Sequence, residues 1–348
     1  MASTTTSPQP ATAPLDTSTL LSLTSYSRLS HPLPSVTIHP SQHETIRPSL
    51  LHTLGQSQTY ALGNLSRLPF EIVSMIALEL DVSSAFRLSH VNRTARELLS
   101  SVREFRHLRK HAVEAMCVLL RTGAAGYVSV SALYNTLTTR DCGLCGAFGG
   151  FLFLPNATRC CLTCVASAPE TRVGYLSRVA DASGITTREL KKSRRMPLVN
   201  TLPDSRRCLV AAEHAVEVIK ASGVEEEEAK AAVARWPDSL TLRFQAATSL
   251  PYLDRWSGEA EAGLSCKGCQ LAFEGDFSDH HLELRDRFYS REGFVEHVGE
   301  CSAAGKLLAA RQEGKGEVKE PTWTGLGRAF TAPCGQRRRS FVEEDHEE

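Results

Sequence analysis

Eight side chains in this sequence have the types and spacing of metal ligands. The first set is Cys142-x2-Cys145-x15-Cys161-x2-Cys164. Two residues between thiolates let one tight turn present both sulfurs to a tetrahedral ion at about 2.3 Å. Gly146 permits a positive-φ turn after the second thiolate, so that backbone N–H groups point at sulfur. Gly149-Gly150 and Pro155-Asn156 punctuate a hairpin that returns the chain to the second pair. Cys160, beside Cys161, is a rival ligand. The second set is Cys266-x2-Cys269…His297-x3-Cys301, in which positions 297 and 301 share one face of a helix. Phe294, one turn before His297, is placed to pack beneath that site. The gap between Cys269 and His297 exceeds the ~12 residues of DNA-reading fingers. His280 and His281 are competing donors, read as exposed loop residues. Neither set shows H-E-x-x-H or another base beside an open ligand position, so both predict structural zinc, about two ions per chain. A redox reading of Cys142-Gly-Leu-Cys145 needs a βαβ context that is not apparent. Of the 11 cysteines, Cys117, Cys160, Cys208 and Cys334 are left as free thiols.

The chain that must position these ligands has 348 residues, enough for roughly two domains. Lys plus Arg and Asp plus Glu both number 39, and this balance argues against a protein whose main task is coating nucleic acid or an anionic membrane. Hydrophobic residues at 42% can build a real core. The longest apolar run, Ala147 to Leu154, is too short to span a membrane. An odd cysteine count without a secretory leader predicts an intracellular protein of cytoplasm or nucleus.

Residues 1–60 hold 29 Ser, Thr and Pro residues and four charges, a composition that predicts a disordered tail. The first periodic stretch starts at Leu65. Pro69 and Glu71 suit a helix start, and Ile72, Val73, Ile76 and Leu80 form a stripe. Asp81 to Ser84 and Asn92 read as further N-caps, and one long helix is expected from Phe105 to Leu120, ended by Gly123. The Phe-Leu-Phe-Leu run at 151–154 is strand-like. Residues 185–207 are basic, with Arg188, Lys191, Lys192, Arg194, Arg195, Arg206 and Arg207 against Glu189 and Asp204. Helices are expected at about 205–220 and 225–236. The fold class predicted is mainly α: a small helical bundle (62–107), a helical region (108–260) with a four-Cys hairpin at 141–166, and a second Cys/His module (261–311). A disordered charged tail (312–348) closes the chain.

The first helical stripe is apolar over a wide arc and must be covered by the rest of the chain or by a partner. Its residues resemble a known family. Leu65-Ser66-Arg67-Leu68-Pro69-Phe70-Glu71-Ile72-Val73, then Phe86-Arg87-Leu88-Ser89, then Val91-Asn92-Arg93-Thr94-Ala95-Arg96-Glu97-Leu98-Leu99, resemble the F-box. Phe70 stands where a small residue or Pro is commoner, and Arg87-Leu88 inverts the usual order. The succession of this segment, Leu133-Tyr134-Asn135-Thr136-Leu137 and the first cysteine set also resembles a group of fungal F-box proteins. The resemblance implies an F-box bundle that docks the Skp adaptor, and through it a cullin, in a Skp–cullin–F-box ubiquitin ligase. It implies a non-catalytic subunit whose C-terminal region holds a protein substrate. Leu68, Pro69, Ile72, Val73, Ile76, Leu80, Leu88 and Val91 would form the partner-binding set, with apolar anchors entering a groove.

Two other readings compete. A zinc-containing nucleic-acid-binding protein draws support from the basic 185–207 stretch and Arg337-Arg338-Arg339. Against it, Glu225-Glu226-Glu227-Glu228 opens a helix with charges that repel phosphate. The other is an F-box scaffold acting outside the ligase. No nucleotide-binding or hydrolase motif supports an enzyme.

Overall fold

The computed structural model describes residues 16–27, 46–51, 62–193, 196–200 and 207–312. Arg194, Arg195, Arg206, Cys334, the tail arginines and everything after Gln312 lie outside the described residues.

The first elements come from the stretch expected to be disordered. The Asp16 carboxylate accepts the Thr19 N–H at 2.8 Å and starts α1 (Thr17–Thr24), which runs into β1 (Ser25–Tyr26). Further on, α2 (Arg47–Leu51) buries Leu50, and Arg109 donates to the carbonyls of Leu50 (2.6 Å) and Leu51 (3.3 Å). The expectation of disorder is corrected at these residues. Their few leucines dock on surfaces built by distant parts of the chain, and composition averaged over sixty residues hides them.

After a 3-10 turn at Gly63–Arg67 come α3 (Phe70–Glu79), α4 (Val82–Leu88), α5 (Arg93–Ser101), α6 (Arg103–His111), α7 (Val113–Thr122) and α8 (Val130–Leu137). Their starts are chemically marked: Asp81 accepts from Ser84 N, Asn92 from Ala95 N and Ser129 from Ala132 N. The single helix expected over 105–120 is two, parted at the buried Ala112. No residue there is an intrinsic helix breaker. The bend instead lets α6 pack on α8 while α7 packs on residues 247–249. The α3–α4 joint is stapled to the α7–α8 joint: Val82 N–H donates to Val128 O and Val130 N–H to Leu80 O, each at 2.9 Å. The F-box-like bundle of 62–107 is thereby fused to α7 and α8.

Next are β2 (Phe151–Phe153), β3 (Thr158–Cys160), α9 (Leu162–Ser167), β4 (Val173–Tyr175), α10 (Leu176–Ser183), α11 (Thr187–Ser193), β5 (Val199–Asn200) and β6 (Cys208–Ala211). Then come α12 (Ala212–Ala221), α13 (Glu226–Ala234), α14 (Leu240–Gln245), β7 (Ala247–Ser249), β8 (Tyr252–Leu253), β9 (Ala260–Glu261) and β10 (Ser265–Cys266). The last elements are α15 (Lys267–Gly275), α16 (Asp279–Arg285), α17 (Arg291–Glu300) and α18 (Ser302–Gln312). Among the described residues the fold is mainly helical, with small antiparallel sheets ordered β3-β2-β7 and β4-β6-β5. Residues 208–211 are a correction, because they form the buried central strand of the second sheet and not the start of a helix. A four-residue apolar run has no period that separates buried strand from buried helix. The acidic run is the first turn of α13, where Glu226 pairs with Lys220 (2.9 Å) and Lys230 (3.0 Å).

The apolar side chains gather in three cores. The largest runs from Leu50 and Val82 through Phe105, Met116 and Leu133 to Phe151, Val165 and Leu253. A second, built on Leu176, Val179, Val210, Ile219 and Trp236, lies under α10 to α13. A third, small one holds Cys266, Cys269, Phe294, Val298 and Ala304. No helix among the described residues is long and apolar enough to cross a membrane.

Arg159 ties the first core together without a carboxylate. Only 3% exposed, it donates to the carbonyls of Thr136 (2.9 Å), Leu137 (3.3 Å), Leu250 (3.2 Å), Pro251 (2.6 Å) and Gly149. Burial pulls its pKa down to about 10, still charged at neutral pH. Arg159→Met strands these carbonyls, so urea unfolding should show a loss of about 3 kcal/mol or more. A loss below about 1 kcal/mol would show that these bonds add little.

Candidate functional site: two metal centres and an exposed helical face

Local folding brings the first four cysteines to one point. Cys142 and Cys145 sit in a turn closed by Gly146 N–H to Cys142 O (2.9 Å), with Gly146 at φ +77. The β2–β3 hairpin, turning through Pro155-Asn156, then delivers Cys161 and Cys164 to the same place. Cys161 is the N-cap of α9, and its sulfur accepts the Cys164 N–H at 3.4 Å. Cys142 Sγ accepts the Leu144 N–H at 3.4 Å and a further backbone bond from Cys161. Gly146 therefore supplies the turn, and its own N–H goes to a carbonyl.

The second set is built likewise. Cys266 caps α15 and accepts the Cys269 N–H at 3.5 Å. His297 lies in the last turn of α17, and Cys301 is the residue that ends it. In both sets a CxxC pair meets the start of a helix, where unpaired N–H groups and the helix dipole favour thiolate. Gly268 allows α18 to close on α15, since a Cβ there would lie 2.5 Å from Ala304 N. Phe294, fully buried, has its ring 6.0 Å from that of His297, as expected. Tyr289, which sequence reasoning missed, stacks on the imidazole at 4.4 Å and fixes its plane.

Within each set the four ligand atoms lie within 4.8 Å of one another, so each set could hold a metal ion. The separations suit one ion. Tetrahedral bonds of about 2.3 Å to sulfur and 2.0–2.1 Å to nitrogen put sulfurs about 3.8 Å apart and sulfur about 3.6 Å from nitrogen. Cys145 Sγ is 3.6 Å from Cys161 Sγ, Cys269 Sγ is 3.7 Å from Cys301 Sγ, and Cys269 Sγ is 3.5 Å from His297 Nε2.

Electrostatics agree with this. Thiol hydrogen bonds from Cys160 and Cys161 hold Cys142 far below the usual thiol range. The same bonds, with burial, push Cys160 and Cys161 up, and burial pushes Cys164 to about 12. In the second set hydrogen bonds from Cys266 and Cys269 lower Cys301, while bonds to Cys266 and Cys301 raise His297 to about 9. Each cluster thus stabilises one thiolate and resists more until a cation neutralises them, and metal uptake must release protons.

Cys160, the rival ligand, is buried, its thiol lying 3.8 Å from Thr158 O and also bonding the Cys142 sulfur, and Cys161 is the residue gathered with the other three. Cys117 and Cys208 are buried free thiols away from both sets. His280 and His281 belong to neither cluster. They lie on helix α16, where His281 is held by Ser278 (3.1 Å) and Asp276, and not in a loop.

The other feature is an exposed apolar face on α3. Leu68, Phe70, Ile72, Met75 (63% exposed) and Ile76 reach solvent, while Val73 and Ala77 on the opposite side are buried. Val91, in the link before α5, is also exposed. Residues 65–107 match the F-box domain family. The chain carries an F-box domain. F-box domains in general bind a Skp-type adaptor within Skp–cullin–F-box ubiquitin ligases, which associates this chain with that class of adaptor subunit. No match to a curated protein or to a solved structure was found.

The F-box geometry divides the expected partner-binding set. Leu68, Pro69, Ile72, Ile76 and Val91 are exposed. Val73 is a correction, because at only 4% exposed it is buried inside the bundle, while Leu80 and Leu88 are half-buried and pack partly against the main core. The stripe 72, 73, 76, 80 joined two faces: 73, 77 and 80 turn inward, and 72, 75 and 76 outward. Phe70 and Met75 join the exposed face. Their apolar type at helical spacing was visible, but its side of the helix was not.

Proposed function

We propose that this protein is a substrate-receptor subunit of a Skp–cullin–F-box ubiquitin ligase. The observation that carries this reading is the F-box match together with the apolar side chains its first helix leaves in solvent. A patch containing Leu68, Phe70, Ile72, Met75 and Ile76 is costly to leave wet and suits a helix-in-groove contact. Pro69 and Val91 border it. The Skp-type adaptor is the direct partner, the cullin joins through it, and ubiquitin transfer belongs to other subunits. The region after the F-box holds a protein substrate. It works inside the cell, in cytoplasm or nucleus. Affinity capture from proteasome-inhibited cells tests this: a Skp-type adaptor and a cullin should co-purify, and their absence would overturn the reading.

In this reading both metal sites hold zinc in a structural role. Four protein donors close each site, three or four of them thiolates, a set that selects zinc over hard cations. Elemental analysis of the purified chain should return two zinc ions. Cys145→Ser and Cys301→Ser should each lower that to one, and a value near zero in the parent chain would remove zinc from the account.

A further inference from the structure

We propose that residues 16–27 are a clamp that holds the second metal site closed, so that the N-terminus of the chain controls metal retention near its C-terminus. The inference rests on the reading of Cys266, Cys269, His297 and Cys301 as a metal centre. The strand β1 pairs antiparallel with β10, and the pairing sets Ser25 directly opposite Cys266, a ligand, and Tyr26 opposite Ser265. Backbone on one side of this CxxC turn is thus held by a segment about 240 positions away, through bonds that fix where the Cys266 sulfur points. The preceding helix α1 lies on α17 and α18, the helices that carry His297 and follow Cys301.

The side chains of the segment are used for this contact. Leu20 and Leu21 pack against the small core of Cys266, Cys269, Phe294, Val298 and Ala304. Thr24 is fully buried, its hydroxyl donating to Leu20 O at 2.7 Å. The Tyr26 hydroxyl bonds the buried Gln270 side chain at 3.2 Å, and Lys267 Nζ donates to Ser22 O at 3.4 Å. The third core has few apolar members of its own, and two added leucines are a large share of what shields the ligands from water. Covering a site slows ligand exchange, because a competing donor must reach the ion before a thiolate leaves. The first set has no such cover from this segment and provides an internal reference.

The test uses the full chain loaded with cobalt, whose absorption distinguishes four-sulfur from three-sulfur, one-nitrogen coordination. Wild-type protein, Leu20→Ala/Leu21→Ala and the harsher Leu20→Asp/Leu21→Asp are challenged with a chelator. The clamp predicts metal loss from the mixed site at least about tenfold faster in the alanine variant and faster again in the aspartate one, with the four-sulfur band unchanged. Hydrogen exchange over 264–308 in the loaded alanine variant should rise with it. Equal release rates in wild type and both variants would overturn the clamp. Absence of the mixed-ligand band from wild type would instead overturn the metal reading on which it rests.

Discussion

Cys161→Ser should cost the chain one metal ion and most of its stability, while Cys160→Ser next door should leave both ions bound. The first half follows from where the four-cysteine set lies. Cys142, Cys161 and Cys164 are members of the largest core, beside Phe151, Leu162 and Val165. A structural zinc site contributes roughly 10–16 kcal/mol of apparent binding energy that is available only to the folded chain. That is as large as the total stability of about 5–15 kcal/mol typical of a domain. Losing one thiolate from the set should therefore drop the melting transition of residues 62–165 below room temperature or make it non-cooperative, as read by circular dichroism. The second half follows from the grouping of the ligand atoms, which takes in Cys161 and leaves out Cys160, whose thiol bonds Thr158 O as well as the Cys142 sulfur. Swapped outcomes, with Cys160→Ser losing the ion, would assign the fourth ligand to Cys160.

Leu68→Asp combined with Ile72→Asp should abolish adaptor binding while leaving the thermal unfolding of the chain within a few degrees of wild type. Both side chains are exposed, Leu68 to 40% and Ile72 to 43%, so a carboxylate there can reach water at small cost in the free protein. In a complex the same carboxylates would be forced into an apolar groove. Anchor residues of this kind are typically worth about 2 kcal/mol or more each, so affinity should fall at least about a hundredfold. Val73→Asp is the opposite control. That position is 4% exposed, and a carboxylate there has no partner, so the bundle itself should unfold. Titration calorimetry with a purified Skp-type adaptor, beside thermal melts, separates the cases. Undiminished binding by the double variant would show that the adaptor uses another surface.

The two Cys/His clusters were legible because their members come in locally spaced pairs: Cys142/Cys145, Cys161/Cys164, Cys266/Cys269 and His297/Cys301 are each a short step apart on a turn or helix. Helix starts were legible for the same reason, since Asp81 and Asn92 cap within three residues of themselves. Readings that depended on distant neighbours fared worse. Residues 208–211 read as helix and are strand, because β4 and β5 were not in view. The stripe on α3 was recognised as apolar, but Val73 and Ile72 could not be sorted before α8 was known to pack on one side of that helix.

The sequence by itself therefore determined the paired Cys/His spacings, the helical character of the chain and its F-box, properties written in short-range patterns along the chain. Only the tertiary structure decided which side of α3 faces solvent, that Cys161 and not Cys160 is gathered with the other three cysteines, and that Ser25 lies against Cys266. Those outcomes are set by contacts between segments tens to hundreds of residues apart, whose pairing depends on the packing of the whole core and leaves no periodic mark in either segment alone.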